Sequence, residues 1–315
     1  MEETVADLGE FALIERITAE ARRGPQIVVG PGDDAAVLSV DGQVVVSTDV
    51  YVEHVHFRTD WTSAGDVGHR GVGGATADIE AMGAVPTAVL IGLTVPKTTP
   101  LRWVDQCFDG ILAEADTAGL SLAGGDVTAG ANLALAVTVI GETRGRAPIQ
   151  RGGAQVGDAV AYRGRLGWAA AGLAVLTRGF RSPRAVVDAY RRPQVPYGAG
   201  AEAAKWGATA LIDVSDGLIA DLNHVAQASR VVIDLDHGRF DWPDILVTVA
   251  GATGKQPEDF VLAGGEDHAL VATFPWGQVP ALWQVIGRVD APGNRDPGVT
   301  VDGDAWAGEL GWTHF

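Results

Sequence analysis

The chain has 315 residues, of which 47% are hydrophobic and 20% charged, a composition typical of a globular protein with room for two domains. Its formal charge of −17 argues against a general nucleic-acid binder, because phosphate backbones attract lysine and arginine surfaces. The single cysteine, Cys107, excludes an intramolecular disulfide and a cysteine-based zinc site.

The first fifty residues predict one helix followed by strands and tight turns. Residues 8–23 show helical spacing of apolar side chains and end at Gly24-Pro25. Residues 26–29 then predict a strand. The dipeptide Asp41-Gly42 lies between two apolar runs and predicts a two-residue hairpin, whose second strand ends in Ser47-Thr48-Asp49. No basic-then-apolar leader precedes the first helix, so we expect a cytoplasmic protein.

The remainder of the first half alternates helices and strands. Helices are predicted at residues 63–82 and 100–118, and strands at residues 87–95, 120–123 and 133–141. The longest apolar stretch, residues 85–95, contains Pro86 and is too short to span a bilayer, so we expect no membrane partner. The pattern predicts an α+β domain rather than a uniformly parallel winding.

The second half begins after a segment that is rich in Gly and Arg and lacks apolar periodicity, residues 144–158. We therefore predict two domains, 1–143 and 144–315. Strands are predicted at residues 159–162 and 209–212, and helices at residues 167–176, 185–190, 198–206 and 218–228. The aromatic tail, residues 311–315, is predicted to dock onto the protein.

Acidic residues recur beside Gly, Ser or Thr, and most of them close an apolar run. The set comprises Asp34, Ser47-Thr48-Asp49, Asp78, Gly124-Gly125-Asp126, Asp213-Val214-Ser215-Asp216-Gly217 and Gly264-Gly265-Glu266-Asp267. Any one of these motifs is as readily a turn, because Asp beside Gly is common in turns. The set as a whole predicts strand ends that present oxygen ligands to several magnesium ions and a phosphate.

Two nucleotide-binding motifs are matched in part and rejected. Residues 30–35 fit G-x-G-x-x-A, with Asp49 near the place of a ribose-binding acid. A strand and a hairpin signal follow, however, and Asp33 and Asp34 would repel a bare pyrophosphate. Residues 251–256 have too few residues between their glycines for a phosphate loop. If ATP binds, it must therefore be held mainly through metal ions and glycine backbone.

Taken together, the motifs resemble the bacterial thiamine-monophosphate kinase family, within the superfamily of aminoimidazole ribonucleotide synthetase-like ATP-binding enzymes. The resemblance covers nearly the whole chain, and the order and spacing of its motifs are specific although each motif alone is weak. Besides the acidic motifs, it includes Gly9-Glu10-Phe11, Gly30-Pro31-Gly32-Asp33-Asp34, His56-Phe57, residues 78–84 and the aromatic tail.

The resemblance implies transfer of the γ-phosphoryl group of ATP onto thiamine monophosphate, which yields thiamine diphosphate and ADP. It implies several Mg²⁺ ions, direct in-line transfer and no phosphoenzyme. It also implies a ferredoxin-like N-terminal α+β domain that dimerises through its sheet, followed by an α/β C-terminal domain. The expected partners are therefore ATP, thiamine monophosphate and a second copy of the chain, with neither nucleic acid nor membrane.

The resemblance also assigns roles to individual residues. The implied magnesium ligands are Asp34, Ser47, Thr48, Asp49, Asp78, Asp126 and Asp213, with Asp216 as a further candidate. The catalytic candidates are Asp49 and Asp126, and the implied ATP contacts are Gly125, Asp126, Arg151 and Ser215. The implied thiamine-phosphate contacts are His56, Glu266 and Trp312. Spacing alone does not choose between His54 and His56; the match to His-Phe selects His56.

The chain departs from the family pattern at three places and leaves two alternatives. Ala75 stands where the family usually has Asn, Val127-Thr128-Ala129 where it often has Thr-Thr-Arg, and His268-Ala269 where it usually has Tyr-Glu. One alternative is another enzyme of the superfamily, such as a purine-biosynthetic synthetase. Selenophosphate synthetase fits less well, because Cys107 lies in a predicted helix rather than near the N-terminus. The other alternative is a non-catalytic nucleotide- or cation-binding regulator.

Overall fold

A computed structural model of the chain describes residues 3–21, 24–32, 35–308 and 310–311. The chain divides into two compact units, Met1–Ile79 with Val85–Gly145, and Glu80–Ala84 with Arg146–Phe315. The sequence-predicted boundary falls near the end of the first unit. The segment Glu80–Ala84, which the sequence analysis assigns to the first domain, groups instead with the second unit.

The first unit is built on a four-stranded sheet. Its helices are α1 (Val5–Leu8), α2 (Glu10–Thr18), α3 (Ala64–Ala81) and α4 (Leu101–Ala118), and its strands are β1 (Ile27–Val29), β2 (Val37–Leu38), β3 (Val44–Val52), β4 (Val85–Val95), β5 (Ser121–Ala129) and β6 (Ala134–Glu142). The sheet has the order β3-β6-β4-β5, with β4 and β5 parallel and the other neighbours antiparallel. The predicted α+β class is confirmed.

The order of strands and helices along the chain differs from that of a ferredoxin-like domain. In the ferredoxin-like arrangement two strands follow one another between the two helices. Here α4 lies between β4 and β5, so that strands and helices alternate until β5, and β6 then inserts between β3 and β4. The long β6 thereby pairs with both β3 and β4 and forms the centre of the sheet.

One face of this sheet carries the core of the first unit. Leu135, Val137 and Val139 of β6 are fully buried there. α3 packs against them, since a side-chain carbon at Gly71 would approach Leu135 and Val137. The opposite face of β3 is open in the single chain, and Val44, Val46 and Val50 are each more than half exposed. β3 thus has one side packed by helices and one apolar side that the unit itself leaves uncovered.

One prediction about the first fifty residues is wrong, and a second needs shorter bounds. The predicted hairpin at Asp41-Gly42 does not form, because β2 pairs with β1 whereas β3 pairs along its whole length with β6. A nine-residue partner strand offers far more hydrogen bonds than the two residues of β2. The helix predicted for residues 8–23 is present but shorter: α2 covers Glu10–Thr18 and begins after Gly9, whose φ of 82° no regular helix has.

The two long helices of the first unit match their predictions. At the start of α3, Ser63 N–H donates to Asp66 Oδ2 at 3.0 Å and Asp66 N–H donates to Ser63 Oγ at 3.2 Å, a reciprocal cap. α4 ends at Gly119 in the left-handed conformation. Cys107 lies on its buried side, and burial raises the pKa of this thiol to about 12, as suits a small core residue.

The second unit is a seven-stranded sheet with helices. Its helices are α5 (Trp168–Thr177), α6 (Arg184–Arg191), α7 (Ala199–Lys205), α8 (Leu218–Ser229), α9 (Asp244–Thr253) and α10 (Pro257–Val261), and its strands are β7 (Ala159–Arg163), β8 (Ala210–Asp213), β9 (Val232–Leu235), β10 (Leu270–Phe274), β11 (Gln284–Asp290), β12 (Gly298–Val301) and β13 (Asp304–Ala305). The order is β13-β12-β9-β11-β7-β10-β8. β9 and β12 pair in parallel and the other neighbours antiparallel.

The rejected phosphate-loop motif at residues 251–256 lies at the end of α9. The helix continues to Thr253 and stops at Gly254, which is left-handed with φ 68°. Such a segment is a helix C-terminus, where carbonyl oxygens rather than N–H groups face outward, so it would repel phosphate. The rejection of the motif agrees with this geometry.

Across the described ranges, every helix is too short or too polar to cross a membrane.

We predict that Leu135→Ala lowers the free energy of unfolding by about 2–5 kcal/mol, because it removes a side chain only 1% exposed and leaves a cavity under α3. Denaturant unfolding followed by circular dichroism measures this change. Val28→Ala, at a side chain that is 63% exposed, is the control and should stay within about 0.5 kcal/mol of the wild type. Equal losses in both variants would contradict the packing described here.

Candidate functional site

The acidic residues were expected at strand ends, and for two of them this is wrong. Asp49 lies inside β3 and Asp126 inside β5, each with three residues of strand still to follow. Asp213 does end its strand, β8. Apolar runs therefore mark the starts of these strands, while the strands continue past the acids because their main-chain groups still find partners on the neighbouring strands.

Ser47 and Asp78 meet between β3 and α3. The Ser47 hydroxyl donates to Asp78 Oδ2 at 2.5 Å, a short hydrogen bond of the kind that a carboxylate accepts. Asp49 lies two residues further along β3 and therefore on the same face as Ser47. The structure thus brings the Ser47 hydroxyl of β3 and the Asp78 carboxylate of α3 together, and Asp49 is the next residue on the same face of β3.

Thr48 lies on the opposite face of β3. Its side chain is exposed, and its Oγ1 lies 2.9 Å from Thr138 Oγ1 on β6. Because side chains alternate along a strand, its hydroxyl points away from Ser47 and Asp49. The Thr48 hydroxyl therefore lies apart from the Ser47–Asp78 pair.

Gly125 and Asp126 lie on β5 beside Ile91 and Gly92 of β4. The pairing of the two strands shifts by one residue between Leu122 and Gly124, which leaves an extra residue on β5. A side-chain carbon at Gly125 would overlap the carbonyl oxygen of Ile91, so only glycine fits. Asp126 follows immediately, pairs with Gly92 and is exposed.

In the second unit, the loop after β8 is closed by a residue that the sequence analysis did not single out. The main-chain N–H groups of Ser215, Asp216 and Gly217 each donate to Asp221 Oδ2 at 3.1 Å. Asp221 is buried in the first turns of α8, and burial together with the charge of Asp213 raises its pKa to about 7. An acidic residue in the first turn of a predicted helix is the signal that could have identified it.

The segment Gly264 to His268 runs beside this loop. Glu266 N–H donates to the carbonyl of Ser215 at 2.8 Å, and His268 N–H donates to that of Val214 at 3.0 Å. A side-chain carbon at Gly265 would overlap the Ser215 carbonyl oxygen. The two acidic motifs of the second half, distant in sequence, are therefore in direct contact.

The close approach imposes unusual backbone conformations. Glu266 and His268 have φ of 69° and 51°, values that residues with side chains rarely adopt. Such conformations cost free energy and persist where surrounding contacts hold them, often at functional sites. His268 Nδ1 also donates to Asp213 Oδ2 at 3.3 Å, and its Nε2 lies 4.0 Å from Glu266 Oε2. Asp213, Glu266 and His268 thus form one buried to half-buried group.

Asp267 connects this segment to the start of α5. Its carboxylate accepts hydrogen bonds from the N–H groups of Gly167 at 2.6 Å and Ala169 at 2.8 Å, at the start of α5. The side chain is buried, which raises its pKa from 3.8 to about 7. Asp267 belongs to a motif that the sequence analysis quoted, yet its role in fixing α5 could not be read from spacing.

The remaining predicted site residues lie apart within their units or outside the described residues. Arg151 is exposed in the short helix Arg151–Gly153, whose first carbonyl accepts from the Ser229 hydroxyl at 3.0 Å. His56 lies in a turn after β3, where Val52 N–H donates to its Nδ1 at 3.1 Å. His54 lies in the same turn, with φ 67°. Asp34 and Trp312 lie outside the described residues.

The donor chemistry of these residues fits magnesium. Every predicted ligand supplies a carboxylate, hydroxyl or main-chain oxygen, which is the set that Mg²⁺ prefers. Among residues 3–21, 24–32, 35–308 and 310–311, no three His, Cys, Asp or Glu side chains lie together in a ready-made metal cage. Magnesium commonly binds through one or two carboxylates plus water and substrate phosphate, so pairs such as Ser47 with Asp78 suit it better than a closed cage would.

Comparison with known proteins shows similarity along the whole chain. Residues 32–143 match the family described as AIR synthase related protein, N-terminal domain. The chain is 46% identical over 315 residues to the thiamine-monophosphate kinase of Mycobacterium tuberculosis, covering 99% of this chain and 93% of the relative.

Solved structures agree with the sequence similarity. The crystal structure of thiamine-monophosphate kinase from Stenotrophomonas maltophilia K279a superposes with a TM-score of 0.83 at 33% identity, covering 95% of this chain and 98% of that chain. The structure of AaThiL complexed with AMPPCP and TMP superposes with a TM-score of 0.81 at 31% identity, covering 98% of each chain.

We predict that Asp267 makes stability fall as the pH rises from about 4 to about 7. Because burial raises its pKa above the unfolded value of 3.8, the folded protein binds more protons than the unfolded chain in this window. The contribution is therefore fully present below the unfolded pKa and is lost as the pH rises through the folded pKa. Urea unfolding of Asp267→Asn across this range should show a shallower fall than the wild type.

Asp41→Asn, which removes an exposed carboxylate of the first unit, serves as the charge control for this experiment. Identical pH slopes for the wild type and Asp267→Asn would show that the buried carboxyl does not titrate as described.

Proposed function

The chain belongs to the thiamine-monophosphate kinase family, and from this premise we propose that it transfers the γ-phosphoryl group of ATP to thiamine monophosphate, yielding thiamine diphosphate and ADP. The observation that carries the proposal is the 46% identity to a thiamine-monophosphate kinase over the full length of this chain. The similar structure that holds AMPPCP, an ATP analogue, and TMP supports it further. Because the donor is ATP, we place the reaction in the cytoplasm.

The acceptor determines what the protein must supply. A phosphate monoester has a second pKa of about 6, so the acceptor is already mainly a dianion near neutral pH and needs no general base. Two polyanions must instead be brought together in line, which is a problem of positioning and charge neutralisation. A chain with a formal charge of −17 has little net positive charge to offer them, which favours divalent cations as the mediators.

We infer that Mg²⁺ ions are held by the acidic motifs. The proposed ligands are Asp34, Ser47, the main-chain carbonyl of Thr48, Asp49, Asp78, Asp126, Asp213 and Asp216. When bound, magnesium would neutralise phosphate charge and orient the phosphates. The Ser47 hydroxyl fixes the Asp78 carboxylate by its 2.5 Å hydrogen bond, so that one oxygen of Asp78 is oriented before any ligand arrives. Asp49 and Asp126 are the proposed catalytic ligands.

The substrates are assigned to the remaining predicted residues. Gly125 is the proposed main-chain contact of an ATP phosphate, because glycine has no side chain that would keep the phosphate from the backbone. Arg151 is exposed and supplies a forked cationic contact to ATP, and the Ser215 hydroxyl a further one. Glu266 and Trp312 suit the cationic thiazolium ring by charge and by stacking, and His56 the phosphate of the acceptor. We expect direct in-line transfer without a phosphoenzyme, because the ionised acceptor phosphate can attack the γ-phosphoryl group itself.

We further propose that two copies of the chain associate through the open face of the four-stranded sheet. Val44, Val46 and Val50 lie on this face and are 51%, 58% and 53% exposed. On the same face, Val46 pairs with Ile140 of β6 and Val50 with Ala136, while Thr48 pairs with Thr138, so small and apolar side chains continue onto β6. A contiguous apolar sheet face of this kind marks an association surface, because water contact with it is unfavourable.

The first test is of activity. Purified protein with ATP, Mg²⁺ and thiamine monophosphate should release thiamine diphosphate and ADP in equal amounts, measured by chromatography. Binding of both substrates without ADP release would favour a non-catalytic regulator and reject the proposed activity.

The second test is of the metal site. Asp49→Asn should lower kcat/KM by about 100-fold or more, because it removes a carboxylate that neutralises charge in the transition state. Asp41→Asn, an exposed carboxylate just before the same strand, is the matched control and should remain near the wild type. Near-normal turnover of Asp49→Asn at limiting Mg²⁺ would refute the assigned role of Asp49.

The third test is of association. Val46→Glu should convert the dimer into a monomer, because it buries a charge in the proposed interface. Sedimentation velocity measures the change. Val28→Glu introduces the same charge at a side chain on β1 that is 63% exposed, and should remain dimeric. A dimer that survives Val46→Glu would place the interface elsewhere.

A further inference from the structure

Three consecutive main-chain N–H groups converge on one atom in the loop after β8. Ser215, Asp216 and Gly217 donate to the same oxygen, Asp221 Oδ2, each at 3.1 Å. Successive N–H groups at the start of a helix ordinarily form an anion-binding concavity, which often holds a phosphate. Here the anion is a side chain of the protein itself, from the first turns of α8.

The remaining contacts of the loop hold its main chain in this orientation. The Ser215 carbonyl accepts from Glu266 N–H at 2.8 Å, and Val214 N–H donates to the carbonyl of Ala269 at 2.8 Å. A side-chain carbon at Gly217 would meet the Ala263 carbonyl oxygen at 2.6 Å, so the loop is packed tightly on that side too. Turning the three N–H groups toward a substrate would break these contacts.

The consequence is a loop that offers negative oxygen atoms. Its N–H groups are engaged by a carboxylate that is only 3% exposed, whereas Asp213 and Asp216 supply carboxylates from the same five residues. Like charges held this close repel one another, and a bound cation relieves the repulsion. A bare phosphate would be repelled by these carboxylates.

We propose that Asp221 is a positioning residue that occupies the N–H groups of residues 215–217 and thereby makes this loop bind a divalent cation instead of a bare phosphate. The proposal rests on the proposed function, in which metal and nucleotide bind together at this loop. Asp221 acts through the loop and touches neither substrate. It determines that the nucleotide phosphates reach residues 213–217 through the cation.

Two variants separate the charge of Asp221 from its volume. Asp221→Ser withdraws the carboxylate and leaves the three N–H groups open to a small anion. Asp221→Asn keeps an acceptor oxygen beside the loop but removes the negative charge, and it serves if Asp221→Ser fails to fold. Asp158→Asn is the matched control, because Asp158 is also a buried carboxylate that accepts a main-chain hydrogen bond, from Gln155 at 2.9 Å.

Asp158 is far from the loop along the sheet. It immediately precedes β7, whose Ala159 pairs with Phe274 of β10, whereas Asp213 of β8 pairs with Leu270 at the other end of β10. A loss of stability alone should therefore appear in the Asp158 and Asp221 variants alike. A change in ion preference should appear in the Asp221 variants only.

The experiment measures binding of Mg²⁺ alone and of inorganic phosphate alone by calorimetry, and the Mg²⁺ concentration that gives half-maximal turnover. For Asp221→Ser we expect phosphate to bind about tenfold more tightly and the required Mg²⁺ to rise about tenfold. Asp221→Asn should show the Mg²⁺ change with a smaller phosphate change. The control should match the wild type in all three.

Unchanged phosphate affinity together with an unchanged Mg²⁺ requirement in both Asp221 variants would overturn the proposal, as would the same shifts in Asp158→Asn. The two calorimetric measurements need no turnover. If the wild-type protein makes no thiamine diphosphate, the proposed function fails, while the ion preference of the loop is still decided by the binding data.

Discussion

Buried carboxylates that accept main-chain hydrogen bonds hold the second unit in its observed form. Asp221 gathers three N–H groups of the loop after β8, and Asp267 gathers two at the start of α5. Each compensates polar groups that would otherwise be buried without partners, at a cost of roughly 1–3 kcal/mol apiece. Because Asp267 adjoins Glu266 in the chain, fixing α5 also fixes the segment that contacts the Asp213 loop. The acidic residues of this unit are therefore of two kinds. Asp221 and Asp267 accept main-chain hydrogen bonds and fix the backbone, whereas Asp213 and Asp216 are the proposed metal ligands.

The first unit positions its acids through the sheet instead. The alternation of side chains along β3 sends Ser47 and Asp49 to one face and Thr48 to the other. Gly125 of β5 packs against Ile91 of β4, and Asp126 is exposed within the strand rather than at its end. The same alternation exposes Val44, Val46 and Val50 on the far side of β3. One strand thus carries proposed metal ligands on one face and the proposed association surface on the other.

Both units carry acidic motifs that are proposed to bind cations. The protein is strongly acidic, and its proposed substrates are polyanions as well. The motifs contain few lysine or arginine residues that could bind the phosphates directly. Divalent cations held by oxygen donors can supply the positive charge instead. Since the acceptor phosphate is already ionised, the reaction depends on positioning the two substrates and neutralising their phosphate charge more than on proton transfer. This explains why carboxylates and glycines recur in the motifs while no histidine–nucleophile couple is needed.

The sequence by itself determined the family, the reaction class and the α+β character, because the order of many short motifs is specific even where each is weak. It also placed α3, α4 and the end of β8 well, since apolar periodicity and capping residues act over a few neighbours. Only the tertiary structure decided that β2 pairs with β1, that Asp49 and Asp126 lie inside strands, and that Asp221 closes the loop at residues 215–217. These features depend on strand register and on hydrogen bonds between segments far apart in the chain, and local sequence patterns contain neither.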